Sequence, residues 1–143
     1  MKYKLLLLII FCFNIQRCDR GNVNSISKIE MHLSPLGVES DDFPDITVSI
    51  DLKNNTGNCK KFYYNSKYQD STYSLSKSEI NSIKSLLKDA DFKNLKSKYS
   101  VDITDQPTST TKIYTDKKVF SIEDYGLKGE YPLNDIYKIV YKI

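Results

Sequence analysis

Polar and apolar residues alternate in two early segments. In residues 28–33, Ile29, Met31 and Leu33 share one side, and Glu30 and His32 the other. In residues 45–52, Ile46, Val48, Ile50 and Leu52 oppose Thr47, Ser49 and Asp51. A period of two marks half-buried strands. Between them, residues 34–44 carry Pro35, Gly37 and the acids Glu39, Asp41 and Asp42, which makes a loop. The run Asn54-Asn55-Thr56-Gly57-Asn58 is a hairpin turn, so residues 59–64 return as a strand, and residues 71–75 add another. The period then changes. Ser76 and Glu79 form a capping box, Leu75 and Ile80 a staple, and Ile80, Ile83, Leu87 and Ala90 recur at helical spacing, predicting a helix that ends at residues 88–90. Residues 92–98 read as a shorter helical turn anchored by Phe92, Leu95 and Tyr99. Residues 110–115 and 119–124 are two strands joined at residues 116–118. Pro132 opens a C-terminal helix at its first position, with Leu133, Ile136, Tyr137 and Val140 on one face. The predicted fold is α+β: an antiparallel sheet of about five to six strands, with the main helix and the C-terminal helix on one face.

The first 27 residues follow another pattern. Lys2 and Lys4 precede an unbroken apolar run from Leu5 to Phe13, about half of the roughly 20 residues a spanning helix needs. A charged flank before a short apolar stretch is the layout of an export signal. Cys18 stands where a lipoprotein signal places its acylated cysteine, with Ile15 at the −3 position; Arg17 at −1 replaces the usual small residue. Plain secretion, an uncleaved anchor and a buried strand or helix of a cytosolic protein are the alternatives. The expected organisation is a lipoprotein-type signal over residues 1–18, a polar tether over 19–27, and one α+β domain over 28–143. The protein is then exported and held at the cell envelope by a lipid on Cys18. Cys12 belongs to the signal, which leaves Cys59 without an intramolecular partner; without lipid on Cys18, a Cys18–Cys59 disulfide becomes open to it. Asn54-Asn55-Thr56 is also a glycosylation sequon, of consequence only in a eukaryotic secretory route.

Charge narrows the partners. Of 21 basic residues, Lys2, Lys4 and Arg17 precede Asp19, so 18 remain against 18 acids. A neutral body argues against nucleic acid. The 143 residues suit one domain, expected as a monomer.

The stretch from about residue 29 to 141 resembles a bacterial family of exported or lipid-anchored proteins catalogued as a domain of unknown function, numbered sixty-four thirty-eight. Phe43-Pro44-Asp45-Ile46-Thr47-Val48-Ser49-Ile50 is similar to its Cys-Pro-x-Tyr step into an alternating strand, with Phe43 and Ile46 replacing the Cys and Tyr. Asn55-Thr56-Gly57 stands at its Asp-Gly turn. Ser76, Leu86, Leu87, Phe92, Leu95 and Tyr99 follow its helix and exit, and Thr104-Asp105-Gln106-Pro107-Thr108 its Thr-Asp-x-Pro step. The resemblance implies the fold and the export route, and no activity.

Candidate chemistry is sparse. His32 is the single histidine, so a histidine triad or multi-histidine metal site is excluded, and no metal is expected. Alternation places His32 on the solvated face. Cys59 as a nucleophile needs His32 as its base. Glu39, Asp41, Asp42 and Asp45 lack calcium-loop spacing. Asp102 and Asp105 are a carboxylate pair available to a hydrolase, or turn-forming residues ahead of Pro107. No glycine-rich phosphate loop is present, and no cofactor is expected. Lys60, Lys61, Lys112, Lys117 and Lys118 read as solvated sheet residues. The unusual number is 11 tyrosines, of which Tyr63, Tyr64, Tyr68 and Tyr73 cluster in one hairpin region. Tyrosine covers area at low entropy cost and is enriched in interfaces, so these four are the candidate contact patch. The leading expectation is a non-enzymatic envelope module that binds a protein or envelope component. The alternative is an envelope hydrolase using Asp102 and Asp105.

Overall fold

Seven strands and two helices carry the chain, in a computed structural model that describes residues 26–90 and 92–143. Cys12, Arg17 and Cys18, and with them the expected signal and most of the expected tether, lie outside the described residues. The strands are β1 (Ile26–Ser34), β2 (Asp45–Asp51), β3 (Thr56–Phe62), β4 (Ser71–Ser74), β5 (Lys98–Tyr99), β6 (Thr108–Thr115) and β7 (Val119–Tyr125). The helices are α1 (Lys77–Asp89) and α2 (Leu133–Tyr141). One sheet runs in the order β4-β3-β2-β1-β6-β7-β5.

The α+β class holds, and the expected sheet needs two corrections. It has seven strands rather than five to six, and it is mixed rather than wholly antiparallel: β5 pairs parallel to β7 at Lys98↔Glu123 and Tyr99↔Asp124. The segment read as one helical turn over residues 92–98 is a 3-10 turn (Phe92–Asn94) followed by that short strand. Two residues are too few for a period of two to be visible, and Tyr99 is buried in the core like any helical anchor. Smaller shifts occur at the ends. β1 includes Ile26, whose side chain is buried, and Ser27, so strand structure reaches into the expected tether. Pro132 precedes α2 as its cap residue rather than opening it.

The pleat sorts the faces. Ile29, Met31 and Leu33 of β1 face Ile46, Val48 and Ile50 of β2 in register, and all six are buried. Gly57 and Cys59 of β3, and Ile113 and Ile122 of β6 and β7, continue this layer. Both helices lie on it. α1 adds Ile80, Ile83 and Leu87, and α2 adds Leu133, Ile136, Tyr137, Val140 and Tyr141. The opposite face has no covering layer among the described residues. It presents His32 and, around a shallow depression, Glu30, Thr47, Ser49, Asn58 and Lys60.

The main helix begins as its sequence dictates. The Ser76 side chain accepts a hydrogen bond from the Glu79 N–H at 3.2 Å, and the Glu79 carboxylate accepts one from the Ser76 N–H at 2.7 Å. Ser76→Ala removes the first of these and should destabilise the protein by about 1 kcal/mol. Ser78→Ala, two positions further into the helix and exposed, should cost much less. Denaturant melts giving equal losses would place the helix start elsewhere.

The core also contains polar groups. Ser109, Thr111 and Asp124 are buried on the helix-facing side of β6 and β7. Asp124 accepts hydrogen bonds from the Lys128 N–H at 2.8 Å and the Gly129 N–H at 2.6 Å, which fixes the turn entering α2. The Ser109 hydroxyl meets the Tyr141 hydroxyl at 2.7 Å. Burial drives the tyrosine hydroxyls of Tyr137 and Tyr141 well above their usual range, so both stay protonated.

Candidate functional site

The two ends of the sheet differ. At one end lie the entry to β1 and the tight hairpins β2–β3 and β6–β7. At the other lie three longer loops, residues 35–44, 63–70 and 100–107, beside the turn of residues 126–132 that leads into α2. Antiparallel pairing fixes this: Ser34, at the exit of β1, lies across from Thr108, while Ile26 lies across from Thr115.

Each loop is held by its own polar side chains. Gly37 has a φ of +99°, and the Val38 N–H returns to the Pro35 carbonyl at 2.8 Å, closing a turn that leaves Leu36 83% exposed. Ser34 and Ser40 hydroxyls accept the N–H groups of Leu36 and Asp42. In the second loop Asp70 accepts the Tyr63 N–H at 3.1 Å and Asn65 accepts the Lys67 N–H at 3.0 Å. The Asn65 amide then donates to Asp42 at 2.8 Å, tying the second loop to the first. In the third, Gln106 packs near the first: a Cβ placed on Gly37 would stand 3.4 Å from the Gln106 carbonyl.

This end gathers rings. Tyr63 and Tyr68 lie 5.0 Å apart between centroids, and Phe62 meets Tyr64 edge-on at 5.2 Å. The Lys61 and Lys67 ammonium groups sit over Tyr63 and Tyr68 at 5.5 and 5.4 Å. Asp42 raises the Tyr68 hydroxyl above its ordinary pKa, chiefly by its charge. Tyr64 is 65% exposed. It forms one wall of a notch of about 220 Å³ whose other walls are Pro35, Leu36, Val38 and Asp41.

Tyr63 pairs with Tyr68, and Tyr64 with Phe62, so three of the four candidate tyrosines lie at this end in two ring pairs, and Tyr73 joins neither. Tyr73 lies opposite Cys59 in the β3–β4 register, on the core side. Its hydroxyl donates to the Val140 carbonyl of α2, and the Lys142 ammonium covers its ring at 5.1 Å. The strand's alternation turned it inward, so Tyr73 leaves the patch. Leu36 and Phe62 take its place, and both were missed. The signal for Leu36 was a bulky apolar residue isolated between Pro35 and Gly37 in an otherwise polar loop.

The remaining candidates separate. Asp102 and Asp105 are exposed in the third loop, where Asp105 adopts a φ of +58° and Gln106 donates back to the Thr104 and Asp105 carbonyls. That is the geometry of a turn. His32 lies on the open face with Nε2 2.8 Å from the Asp45 carboxylate, whereas Cys59 is buried on the helix face. The sheet stands between them, so His32 is no base for Cys59. Burial pushes the Cys59 thiol above its ordinary pKa, which disfavours the nucleophilic thiolate. Among the described residues no three His, Cys, Asp or Glu side chains come together as a metal site, Glu39, Asp41, Asp42 and Asp45 included. Lys60 and Lys112 lie on the open face, Lys61 beside Tyr63, and Lys117 and Lys118 at the far hairpin.

Comparison with known proteins gives one match: the model of a family described as a domain of unknown function (DUF6438) covers residues 40–143. It begins after β1, which nonetheless occupies the middle of the sheet. No curated protein and no solved structure matches the chain. No helix among the described residues is long and apolar enough to cross a membrane.

Proposed function

The chain belongs to the domain-of-unknown-function family DUF6438, and from that premise we propose that it is a non-enzymatic binding module of the cell envelope, tethered through a lipid on Cys18 and making its contact with the three-loop end of the sheet. One observation carries the reading: Leu36, Phe62, Tyr64 and Tyr68 are all exposed at that end, at 83%, 45%, 65% and 37%. Large apolar side chains gathered on ordered loops mark an interaction surface rather than a solvated one. The position supports it as well. The first described residue, Ile26, stands eight residue steps along β1 from Ser34, or about 27 Å. A tether attached there holds the three loops away from the membrane and toward whatever stands opposite.

One experiment in the native host tests both halves. A photo-crosslinking residue at Tyr64 should give a discrete adduct, and one at Ser121, on the open face of β7, should not. The Cys18→Ser chain should leave the membrane fraction and lose its fatty-acid label. Equal adducts from the two positions remove the binding surface; equal labelling of wild type and Cys18→Ser removes the anchor.

A further inference from the structure

The three-loop end is acidic as well as aromatic. Residues 35–44, 63–70 and 100–107 hold Glu39, Asp41, Asp42, Asp70, Asp102 and Asp105 against one base, Lys67, and the balance stays acidic with Lys61 at the end of β3 and with Lys128 and Glu130, which cancel, in the adjoining turn. All six acids are exposed. The opposite end is not acidic: its hairpin tips carry Lys53, Lys117 and Lys118 against Asp116. A body of zero net charge thus has its negative charge drawn to the end where its exposed rings are. Resting on the binding reading above, we propose that the partner is a basic protein segment, with lysine or arginine flanking an apolar anchor, and that the anchor seats in the notch between Leu36 and Tyr64.

The two features divide the work. The notch has Tyr64, Pro35 and Leu36 for an apolar side chain, with Asp41 on its wall for a cation beside it. The aromatic contact supplies tightness once the ring faces are dry. The surrounding acids set sign and speed. Like-signed partners are repelled, and cationic ones are drawn in at a rate that falls with salt. Lys61 and Lys67, already lying over Tyr63 and Tyr68, show that these rings accept a cation on their faces. A second copy of this chain offers Lys53, Lys117 and Lys118, and contact there would run head to tail, as a ring or a filament.

The test uses the full-length chain in detergent and three fluorescent peptides read by anisotropy. One alternates arginine with leucine and tyrosine, one replaces arginine by glutamate, and one replaces the apolar residues by serine. The arginine–apolar peptide should bind, and the other two should bind far more weakly. Leu36→Ser with Tyr64→Ala should weaken it by about ten-fold. Glu39→Gln with Asp41→Asn should weaken it and flatten its salt dependence, while Lys117→Gln leaves it unchanged. Circular dichroism melts of each variant confirm that the fold is intact. Four results overturn the inference: the glutamate peptide binding as well as the arginine one; arginine–apolar binding indifferent to the Leu36 and Tyr64 changes; association of the chain with itself that Lys117→Gln abolishes; or no peptide binding at all. If no peptide binds while Tyr64 still yields its adduct in the host, the charge class fails and the binding surface stands.

Discussion

Asp124→Ala should be among the most destabilising single substitutions in the domain, at about 3 kcal/mol or more. The Asp124 carboxyl is wholly buried and accepts two backbone N–H groups, those of Lys128 and Gly129. Truncation removes both bonds and strands both donors. A buried donor left unsatisfied costs about 1–3 kcal/mol, which applies in full to the buried Gly129 N–H and in part to the half-buried Lys128 N–H. The turn they form sets the entry of α2, whose five buried residues close the core, so the loss spreads beyond the two bonds. Asp124→Asn should cost roughly half as much, because one carboxamide oxygen still accepts while its NH₂ faces a donor. The measurement is equilibrium denaturation of wild type and both variants. An Asp124→Ala loss below that of Ser76→Ala would mean the turn is held by packing alone.

That residue shows where the sequence was legible and where it was not. Strands β1 and β2 could be read because each has one apolar and one polar side, so alternation names the inward face. The start of α1 could be read because Ser76 and Glu79 act locally, through the backbone three residues away. β6 is different: Ser109 and Thr111 point inward while Thr110 and Lys112 point outward, so polarity does not distinguish its faces. What allows Ser109 inside is supplied by a distant element, the Tyr141 hydroxyl of α2. Likewise Asp124 reads as a surface acid until the N–H groups of the following loop are seen to converge on it.

The candidate site divides along the same line. Tyr63, Tyr64 and Tyr68 were visible because they crowd a short polar segment, and Tyr73 was grouped with them by proximity in sequence. Proximity carries no face. One strand step separates the outward Thr72 and Ser74 from Tyr73, and the pairing Cys59↔Tyr73 decides the side. Leu36 required knowledge that the loops of residues 35–44 and 63–70 share one end of the sheet, joined by Asn65 and Asp42.

Gly129→Ala should damage the same buried turn from the other side. A Cβ on Gly129 would stand 2.7 Å from the Asp124 carboxyl oxygen and 2.9 Å from Leu133 Cβ. Neither neighbour can yield cheaply. The carboxyl is held by the Gly129 N–H itself, and Leu133 Cβ is fixed to the first turn of α2 with its side chain fully buried. Glycine is needed here for space and not for its backbone angle. Overpacking a rigid site costs about 1–3 kcal/mol, and displacement of the carboxyl adds part of the Asp124 loss. The expected total is about 3 kcal/mol. Because one of the two clashes is with the carboxyl, the effects should not add. In an Asp124→Ala background, Gly129→Ala should cost at least about 1 kcal/mol less than in the wild type, the coupling expected of residues in contact. A double-mutant cycle in denaturant measures it. Strict additivity would show that the methyl collides only with Leu133, and that Asp124 holds the turn through Lys128 alone.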